Sequence, residues 1–476
     1  MKTDPAGKEH GVMGWINRRL PVVDIWRDQL AGYAAPKNFN IWYFFGSLML
    51  LVLVLQFATG LFLAIHYQPN PNLAFWSVLR SIGRDSRWGW LIRDMHVTGA
   101  SLFFVLIYLH IYRGIMYGSY KKPRELLWLV GVAIYLILAA EAFLGYLLPW
   151  GQMSYWGSTV VVNFVTAIPV VGKAIAEWMR GSFVVGAPTL NRFFIFHVFL
   201  VPFSLLALVL VHMIALHQVG SNNPDGIEVR DDCNEDGWPR EAVPFHPYYT
   251  VKDVFGVSIF MVIFFWFVLY NPSGWGFLLD KLNYVPANAI KTPSDIHPLW
   301  FFLPFYAMLR GVPDKLYGVI AFAGAFLVLA GLPLLDRNPV RSIRYRSTLY
   351  KINLLVMPAT FLALGYIAGG SASESNMVVG LHVTEMFYAT FFLLPYFNRQ
   401  RSRAATLVWL VVLEAVVWMV DYWMYAIHAH SWSLMLQTDW LPALYIAVVL
   451  LLALVVPRLS ADARVPEQLT MGGLTH

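Results

Sequence analysis

Four histidines lie at matched positions in two long apolar stretches of this chain. His96 and His110 are 14 residues apart in one stretch, and His197 and His212 are 15 apart in another. At ~1.5 Å of rise per residue, either spacing separates the two side chains by ~21–22 Å along a helix. At ~100° per residue, both members of a pair return to roughly one helix face. If the two helices run parallel, two imidazoles therefore face each other at each of two levels.

Two facing imidazoles are the ligand set of a six-coordinate haem iron. Such iron has no open coordination position, so it transfers electrons and does not bind oxygen. The single cysteine, Cys233, excludes a C-x-x-C-H haem attachment and a cysteine-bound iron–sulfur cluster within this chain. The predicted cofactors are therefore two non-covalent b-type haems. For a single pair of histidines, the alternative is that both are polar core residues of a helix bundle, with their hydrogen bonds satisfied.

Glycines repeat the 14-residue spacing on two further apolar stretches. They are Gly46 and Gly60 on one stretch and Gly131 and Gly145 on the other. A residue without a side chain lets a flat macrocycle approach the helix backbone, although glycines in membrane helices also serve helix packing. Two histidine pairs and two glycine pairs in one register favour the haem interpretation. Arg93 and Arg113, near the ends of the second stretch, are candidates to bind the haem propionates.

The elements that must position these residues are membrane helices. Of 476 residues, 58% are hydrophobic and 13% are charged, whereas soluble domains carry about 25% charged residues. A run of ~20 apolar residues crosses the hydrocarbon core as a helix. We predict an all-α polytopic bundle with eight core spans and two extra C-terminal spans, and no cleavable signal peptide in the first 40 residues. The ten predicted spans are 41–66, 95–117, 126–148, 193–216, 251–271, 317–335, 350–368, 377–397, 404–427 and 440–457.

The distribution of positive charge among the loops predicts the orientation. If the spans alternate, the loops on the side of the N-terminus hold 21 Lys and Arg, and the long loops on the other side hold 11. Positive residues favour the cytoplasmic side, so the N-terminus is predicted inside the cytoplasmic membrane. His96 and His197 then form the outer level, and His110 and His212 form the inner level. The net charge of +6 reflects this excess of positive residues in the loops and does not indicate nucleic-acid binding.

Two of the predicted outer loops are unusually long. Residues 149–192 are predicted to contain two short amphipathic helices, around 158–168 and 172–181, and residues 272–315 are rich in proline and aromatic residues. Long structured loops at a membrane face are usually functional. The alternative is that the amphipathic helices only rest on the lipid surface.

Six longer stretches of the chain are specific enough to indicate a family. They are RDMHVTGASLFFVLIYLHIYRG (93–114), GYLLPWGQMSYWGSTVVVNF (145–164), PTLNRFFIFH (188–197), HQVGSNNPDG (217–226), HPYYTVKD (246–253) and LRGVPDKLYGV (309–319). With them the sequence resembles, from about residue 20 to about 398, cytochrome b of the respiratory quinol–cytochrome c reductase, of the proteobacterial type.

The resemblance implies an eight-span fold, a homodimer, and a Rieske iron–sulfur protein and a c-type cytochrome as partners. The implied domains are 1–40, a cytoplasmic segment; 41–235, the dihaem-binding domain; 236–398, which completes the quinol site; and 399–476, an extension.

The resemblance implies two quinone sites joined in a Q cycle. Quinol would be oxidised at the outer site, one electron passing to the iron–sulfur partner and the other through both haems to a quinone at the inner site. The implied outer residues are Tyr146, Gly157 in the loop 149–165, Pro298 and Trp300 in the segment Pro298–Phe301, and Tyr306. The implied inner residues are His217, Ser221, Lys252 and Asp253. A histidine near a carboxylate and a lysine can relay protons, although Lys252 and Asp253 could also be an interfacial anchor pair.

One departure from the family pattern lies at the outer site. The usual Pro-Glu-Trp-Tyr motif is replaced by Pro298-Leu299-Trp300-Phe301, so the carboxylate and the tyrosyl hydroxyl are both missing. A carboxylate there could accept a quinol proton, and leucine cannot. Our hypothesis is that Asp295, His297 or a water chain near Tyr146 and Tyr306 replaces it. The alternative is that Asp295 and His297 only cap a loop.

Two further departures concern the fourth span and the C-terminus. The 15-residue histidine spacing is one residue longer than in most respiratory members, and the extra residue near Pro202 should rotate one histidine by up to ~100° unless a proline kink absorbs it. Residues 399–476 have no counterpart that we recognise, and their predicted spans cover 407–427 and 441–457. Glu414 and Asp421 share one face of the first of these spans. They favour a structural contact, with a proton path as the alternative.

Two other functions are compatible with parts of the pattern. One is a b-haem membrane anchor of another quinone-linked oxidoreductase, although such anchors usually have fewer spans and lack the long loop at 149–192. The other is a transporter or channel without a redox role. The broken-helix repeats of many transporters are not evident in the sequence.

Overall fold

The computed structural model describes residues 11–428 and 440–470, apart from the side chains of 28–30 and 424–428. These residues are mostly helical, and short 3₁₀ and π turns connect the helices. Two short helices, Gly11–Asn17 and Val22–Ile25, come first. The helices that follow are α1 (Phe45–His66), α2 (Gly89–Met116), α3 (Glu125–Leu147), α4 (Gln152–Val165), α5 (Gly172–Arg180), α6 (Ala187–Ile195), α7 (Val201–Val219), α8 (Phe245–Tyr270), α9 (Leu303–Gly311), α10 (Lys315–Ala330), α11 (Leu332–Leu335), α12 (Thr348–Ala368), α13 (Glu374–Phe392), α14 (Arg403–His428) and α15 (Trp440–Val455).

All ten predicted spans are helical, and the chain is a multi-span membrane protein. Within the described residues, eight helical stretches are long and apolar enough to cross a membrane, whereas α10 and α15 are shorter. The predicted span 317–335 is divided because α10 ends before Gly331 and Pro333 lies in the separate short helix α11. Proline has no backbone N–H and its ring clashes with the preceding turn, so it starts a helix more readily than it continues one.

The fourth span contains a π turn at the point where the sequence carries its extra residue. Helix α6 passes into α7 through a π-helical turn at Phe196–Leu200, and Pro202 stands in the first turn of α7. A π turn accommodates one additional residue within a helix, and Pro202 cannot donate the regular backbone hydrogen bond. The π turn, which Pro202 follows closely, therefore accommodates the extra residue between His197 and His212.

The two long loops predicted on the outer side lie together. The backbone N–H of Gln152 donates to Val285 O at 2.9 Å, and that of Ala287 donates to Trp150 O at 3.0 Å. Helices α4 and α5 correspond to the two short helices predicted in the first loop, although α4 begins six residues earlier than expected. Helix α5 ends at Gly181, whose φ of +69° is a left-handed conformation that glycine adopts without strain.

The segments predicted on the opposite side also contact one another. Strands β1 (Ala34–Pro36) and β2 (Ala242–Pro244) pair antiparallel, which joins the N-terminal segment to the loop before α8. The Arg124 guanidinium bonds both Glu228 carboxylate oxygens at 2.9 Å, and Lys121 Nζ donates to Asn338 O at 2.8 Å. The segments 1–40, 113–125, 213–252 and 336–351, which the charge distribution predicts on the cytoplasmic side, thus contact one another in one layer, called the loop layer below.

The C-terminal extension packs against the core and returns to this same layer. Helices α14 and α15 pack together, and α15 also packs on α13. Tyr445 OH of α15 donates to Asn353 Oδ1 of α12 at 2.5 Å. After α15, Asp462 accepts from Ser347 N at 2.7 Å. The backbone N–H of Thr470 donates to Asp225 Oδ2 at 2.7 Å. The extension is therefore attached both within the membrane and at the loop layer.

A buried charge cluster holds the loop layer together at Asp336. Its carboxylate lies 3.1 Å from Lys121 Nζ and 3.0 Å from Arg346 Nη1, and it accepts a hydrogen bond from Tyr120 OH. Burial disfavours the ionised form of Asp336, but the two positive charges outweigh burial and hold the pKa of this carboxyl below its ordinary value. A carboxyl with a lowered folded-state pKa contributes stability above its unfolded pKa of ~3.9, and that contribution is lost as the pH falls further.

We predict that Asp336→Ala destabilises the protein strongly at neutral pH. Removal of one partner of a buried ion pair costs about 3–5 kcal/mol, because the remaining charges stay buried without their acceptor. The measurement is the thermal unfolding midpoint in detergent, which should fall in the variant, with the difference from wild type shrinking below about pH 4. The control is Asp232→Ala, which removes an exposed ion pair with Arg240 and should change the midpoint little. Equal midpoints for the two variants would contradict the prediction.

Candidate functional site

The outer histidine pair is brought together by α2 and the π turn of the fourth span. The imidazoles of His96 and His197 face each other with ring centroids 6.2 Å apart and planes at 89°. His96 Nδ1 lies 2.9 Å from Thr59 Oγ1, and His197 Nδ1 lies 3.1 Å from Glu141 O and 3.0 Å from its carboxylate. When Nδ1 is bonded in this way, Nε2 is the nitrogen left to bind a metal. Thr59 and Glu141 therefore orient the two rings.

The inner histidine pair, His110 and His212, has different neighbours from the outer pair. His110 lies beside α1 and His212 beside α3. The Arg113 guanidinium lies 3.2 Å from His110 Nδ1 and 4.9 Å from the Tyr43 ring, while Arg113 Nε has no hydrogen-bond partner among the described residues. An imidazole that binds iron through Nε2 carries its proton on Nδ1, so iron ligation at His110 and the Arg113 contact exclude each other. The unsatisfied guanidinium nitrogen fits an anionic partner at this level.

Each of the four predicted glycines faces one of the four histidines. A Cβ added to Gly60 would lie 3.2 Å from His96 Cε1, and one added to Gly131 would lie 3.3 Å from His212 Cε1. At Gly145 the added atom would overlap the His197 ring, 2.8 Å from Nδ1, whereas at Gly46 it would lie 3.8 Å from His110 Cε1. In this structure the glycines make room for the imidazoles of the neighbouring helix. Their approach to a macrocycle stays a prediction.

A cavity of about 300 Å³ joins the outer histidines to the predicted quinol site. This volume lies in the ~300–1,000 Å³ range of ligand pockets. His96, His197, Gly60 and Gly145 line it. It is also lined by Tyr146 near the end of α3 and by residues of the loop between α8 and α9, which include Asn283, Tyr284, Leu299 and Phe301. A mostly apolar cavity with two facing imidazoles fits a b-type haem, whose iron takes histidine ligands.

The outer-site residues predicted around Tyr146 meet at the border between the two long loops. Asn283 Nδ2 donates to Tyr146 OH at 2.9 Å. A Cβ on Gly157 would lie 3.8 Å from the Tyr146 ring and 3.9 Å from His297 O. His297 Nε2 lies 3.4 Å from an Asp280 carboxylate oxygen, and this pair was not foreseen. Tyr306 OH donates to Ile296 O at 3.2 Å, on the same loop.

The segment Pro298–Phe301 packs without the two groups that the family motif would supply. Leu299 lines the cavity, and Trp300 Nε1 lies 3.4 Å from Ser101 Oγ. The Phe301 ring stacks on Phe104 at 3.7 Å between centroids and is buried. A tyrosine at position 301 would place a hydroxyl in this apolar contact, so the missing hydroxyl suits the packing here.

The predicted inner-site residues lie around the N-terminal segment and the first turns of α1 and α8. Tyr33 OH lies 2.8 Å from Ser221 Oγ, and its ring lies 4.9 Å from that of His217. Asp253 accepts a hydrogen bond from Ser47 Oγ, in the first turn of α1, at 2.6 Å. Lys252 Nζ lies 4.2 Å from the Tyr248 ring centroid, a cation–π contact at the predicted membrane boundary.

Models of known protein families match two parts of the chain. A family model described as cytochrome b/b6/petB matches residues 30–220, and a second, cytochrome b(C-terminal)/b6/petD, matches residues 286–388. A curated cytochrome b of Allochromatium vinosum is 50% identical over 81% of this chain and 95% of its own length. The cytochrome b of Rickettsia bellii is 48% identical over 79% of this chain and 91% of its own length.

A solved structure also matches. A chain of a structure titled hyperthermophilic respiratory complex III is 38% identical, with a TM-score of 0.74, and the match covers 81% of this chain and 98% of that chain. The chain belongs to the cytochrome b family. The predicted family and helical fold are thereby confirmed, and the alternative of a transporter without a redox role loses its support.

The C-terminal extension lies outside the matched ranges. The second family model ends at residue 388, so α14 and α15 lie beyond it.

Arg93, a predicted propionate ligand, is bonded to Asp94 at 2.9 Å. A cofactor at the outer level would have to share the Arg93 guanidinium with this carboxylate.

The sequence did not predict several residues of the site. They are the two groups that bond the outer histidines, Thr59 and Glu141, and three loop residues, Tyr33, Asp280 and Asn283. Glu141 could have been found, because it is the only acidic or basic residue of the sequence between residues 126 and 147, inside the third span. The loop residues carried no periodic signal.

Proposed function

We propose that the chain is the dihaem cytochrome b of a respiratory quinol–cytochrome c oxidoreductase in the cytoplasmic membrane, with its N-terminus inside. It would hold two haems b, one between His96 and His197 and the other between His110 and His212. Its partners would be a Rieske iron–sulfur protein, a c-type cytochrome and a second copy of the complex. The observation that carries the proposal is the facing outer pair of imidazoles at a cavity that reaches Tyr146 and Leu299.

The residues of the chain support electron transfer by fixing the two haem levels. When bound, the haems supply a path for electrons across the apolar core, from the outer to the inner level. His96 and His197 present Nε2 because Thr59 and Glu141 hold Nδ1. Such supporting hydrogen bonds fix the tautomer and the orientation of a ligating ring.

At the outer site, the chain must bind quinol and accept its protons. Leu299 leaves position 299 without a titratable group, whereas the His297 imidazole lies 3.4 Å from the Asp280 carboxylate. An imidazole accepts a proton at physiological pH, and a neighbouring carboxylate stabilises the imidazolium that results. We infer that His297, oriented by Asp280, replaces the missing carboxylate as the proton acceptor. Among the described residues Asp295 has no such ion pair, so it is the less favoured candidate.

At the inner site, quinone reduction consumes protons from the cytoplasm. His217 and Ser221 lie on either side of Tyr33, which bonds Ser221 directly. Asp253, bonded to Ser47, stands at the N-terminal part of α8 beside Lys252. These groups supply hydrogen-bond donors to a quinone oxygen and a titratable path to it.

The proposed function is tested by deletion and complementation. Membranes that lack the chain should lose quinol-dependent reduction of c-type cytochrome, and the wild-type chain should restore it in a form sensitive to inhibitors of the outer quinol site. If restored quinol oxidation bypasses the c-type cytochrome and resists those inhibitors, the chain is a b-haem anchor of another quinone-linked oxidoreductase.

The His297→Gln/Asp280→Asn double variant tests the proposed proton acceptor. General acid–base groups contribute about 10²–10⁴-fold, so quinol oxidation should fall at least about tenfold with an altered pH profile and unchanged haem content. The control is Glu177→Gln, which removes an exposed carboxylate from α5 on the same side of the protein and should not change turnover. An unchanged rate and pH profile in the double variant would refute the role of this pair.

A further inference from the structure

A buried histidine and two acids meet where the C-terminal extension packs on the core. His382 and Glu385 lie one turn apart on α13, and Asp421 lies on α14. The side chains of His382, Glu385 and Asp421 are 0%, 11% and 4% exposed. His382 is about 12 Å along α13 from its first residue, so the cluster lies inside a membrane-spanning helix and not at its end.

The ligand atoms of these three residues converge. His382 Nδ1 lies 3.0 Å from Glu385 Oε2 and 3.5 Å from Asp421 Oδ1, and one ligand atom from each residue lies within 4.8 Å of the other two. Adjacent ligands that bind a metal at ~2.1 Å are ~3.0 Å apart in octahedral and ~3.4 Å apart in tetrahedral geometry. The two separations from His382 Nδ1 lie near these values, and the two carboxylate ligand atoms lie within 4.8 Å of each other.

The surroundings of the cluster exclude water. Val312 and Leu381 form a small buried apolar cluster with Val420 and Trp423 packed against it, and the Trp423 ring meets Tyr317 edge to face at 4.4 Å. Two carboxylates in such a place are costly when ionised. A divalent cation would neutralise the charges of the two carboxylates, and the imidazole would bind it as a neutral ligand.

We propose that His382, Glu385 and Asp421 bind a divalent transition-metal ion, Zn²⁺, that ties α14 to α13. One imidazole with two carboxylates is a ligand set that Zn²⁺ accepts, and a fourth position remains for water. Di-metal sites in helix bundles likewise combine a Glu and a His three residues apart on one helix, there in the order Glu-x-x-His, with carboxylates from facing helices. The site lies beyond the haem and quinone residues, and it does not depend on the proposed function.

The experiment measures zinc in the purified intact complex after a wash with a weak chelator. We expect about one zinc per chain, counted against haem b, in the wild type and in Glu414→Gln. Glu414 is the matched control because it is an acid on the same helix, seven residues before Asp421. Asp421→Asn and His382→Gln should each retain less than half of the wild-type zinc. Equal zinc in all four proteins would overturn the proposal.

A second measurement needs no variant and covers the case in which a substitution prevents assembly. Zinc-edge X-ray absorption of the wild-type complex should show one imidazole nitrogen and otherwise oxygen ligands. A shell that contains sulfur would place the zinc at another site of the complex, and a wild-type complex without bound zinc would leave the cluster without a metal; either result would overturn the proposal.

Discussion

Replacement of His96 by alanine is expected to reduce the b-haem content of the purified complex to about half, because one of two bis-histidine sites loses a ligand. Quinol-dependent reduction of c-type cytochrome should fall to background, since the second electron of quinol would have no acceptor at the outer level. The haem content is measured from the reduced absorption spectrum per chain. His110→Ala should halve the content in the same way while affecting the inner level.

The control for this prediction is another histidine of the membrane helices. His66, at the end of α1, has its Nδ1 bonded to Phe62 O at 3.0 Å and lies outside both pairs. His66→Ala should keep the full haem content. If His96→Ala also keeps it, the proposed ligand assignment at the outer level is wrong.

The second large effect is expected at Gly145. An alanine Cβ there would lie 2.8 Å from His197 Nδ1, so the ring must leave the position in which Glu141 holds it. Overpacking of this kind costs about 1–3 kcal/mol, which corresponds to about a 5- to 150-fold change in an equilibrium. Gly145→Ala should therefore shift the outer haem spectrum or lose that haem.

Gly46→Ala is the matched control, because its Cβ would make only an ordinary contact at 3.8 Å from His110 Cε1. It should keep both haems with unshifted spectra. Similar behaviour of the two alanine variants would mean that the glycines do not act by making room for the imidazoles as the structure suggests.

Periodicity explains how much of this site could be read from the sequence. The helix repeat is fixed, so the spacing of His96 from His110 and of Gly46 from Gly60 already placed them on common faces at two depths. The ten helical spans followed from the apolar runs, because a backbone in lipid must satisfy its hydrogen bonds internally. The family followed from long matching stretches around these same residues.

What could not be predicted depends on contacts between segments distant in the chain. The π turn at Phe196–Leu200 resolves the longer histidine spacing, but the sequence signalled only a conflict near Pro202. Asp280 and His297 are brought together by irregular loops, which have no period. The sequence showed Asp421 as a buried acid on α14, but its histidine partner lies 39 residues away on another helix.

The central claim is that this chain holds two haems at two levels. It is tested most directly by a redox titration of the b-haem absorption of the wild-type complex. Two components of unequal potential and similar amplitude are expected, because the outer pair lies beside the Glu141 carboxylate, whereas the positive Arg113 stands one turn from His110 on α2 at the inner level, and local charge shifts a haem potential. A single component with the amplitude of one haem per chain would contradict the account.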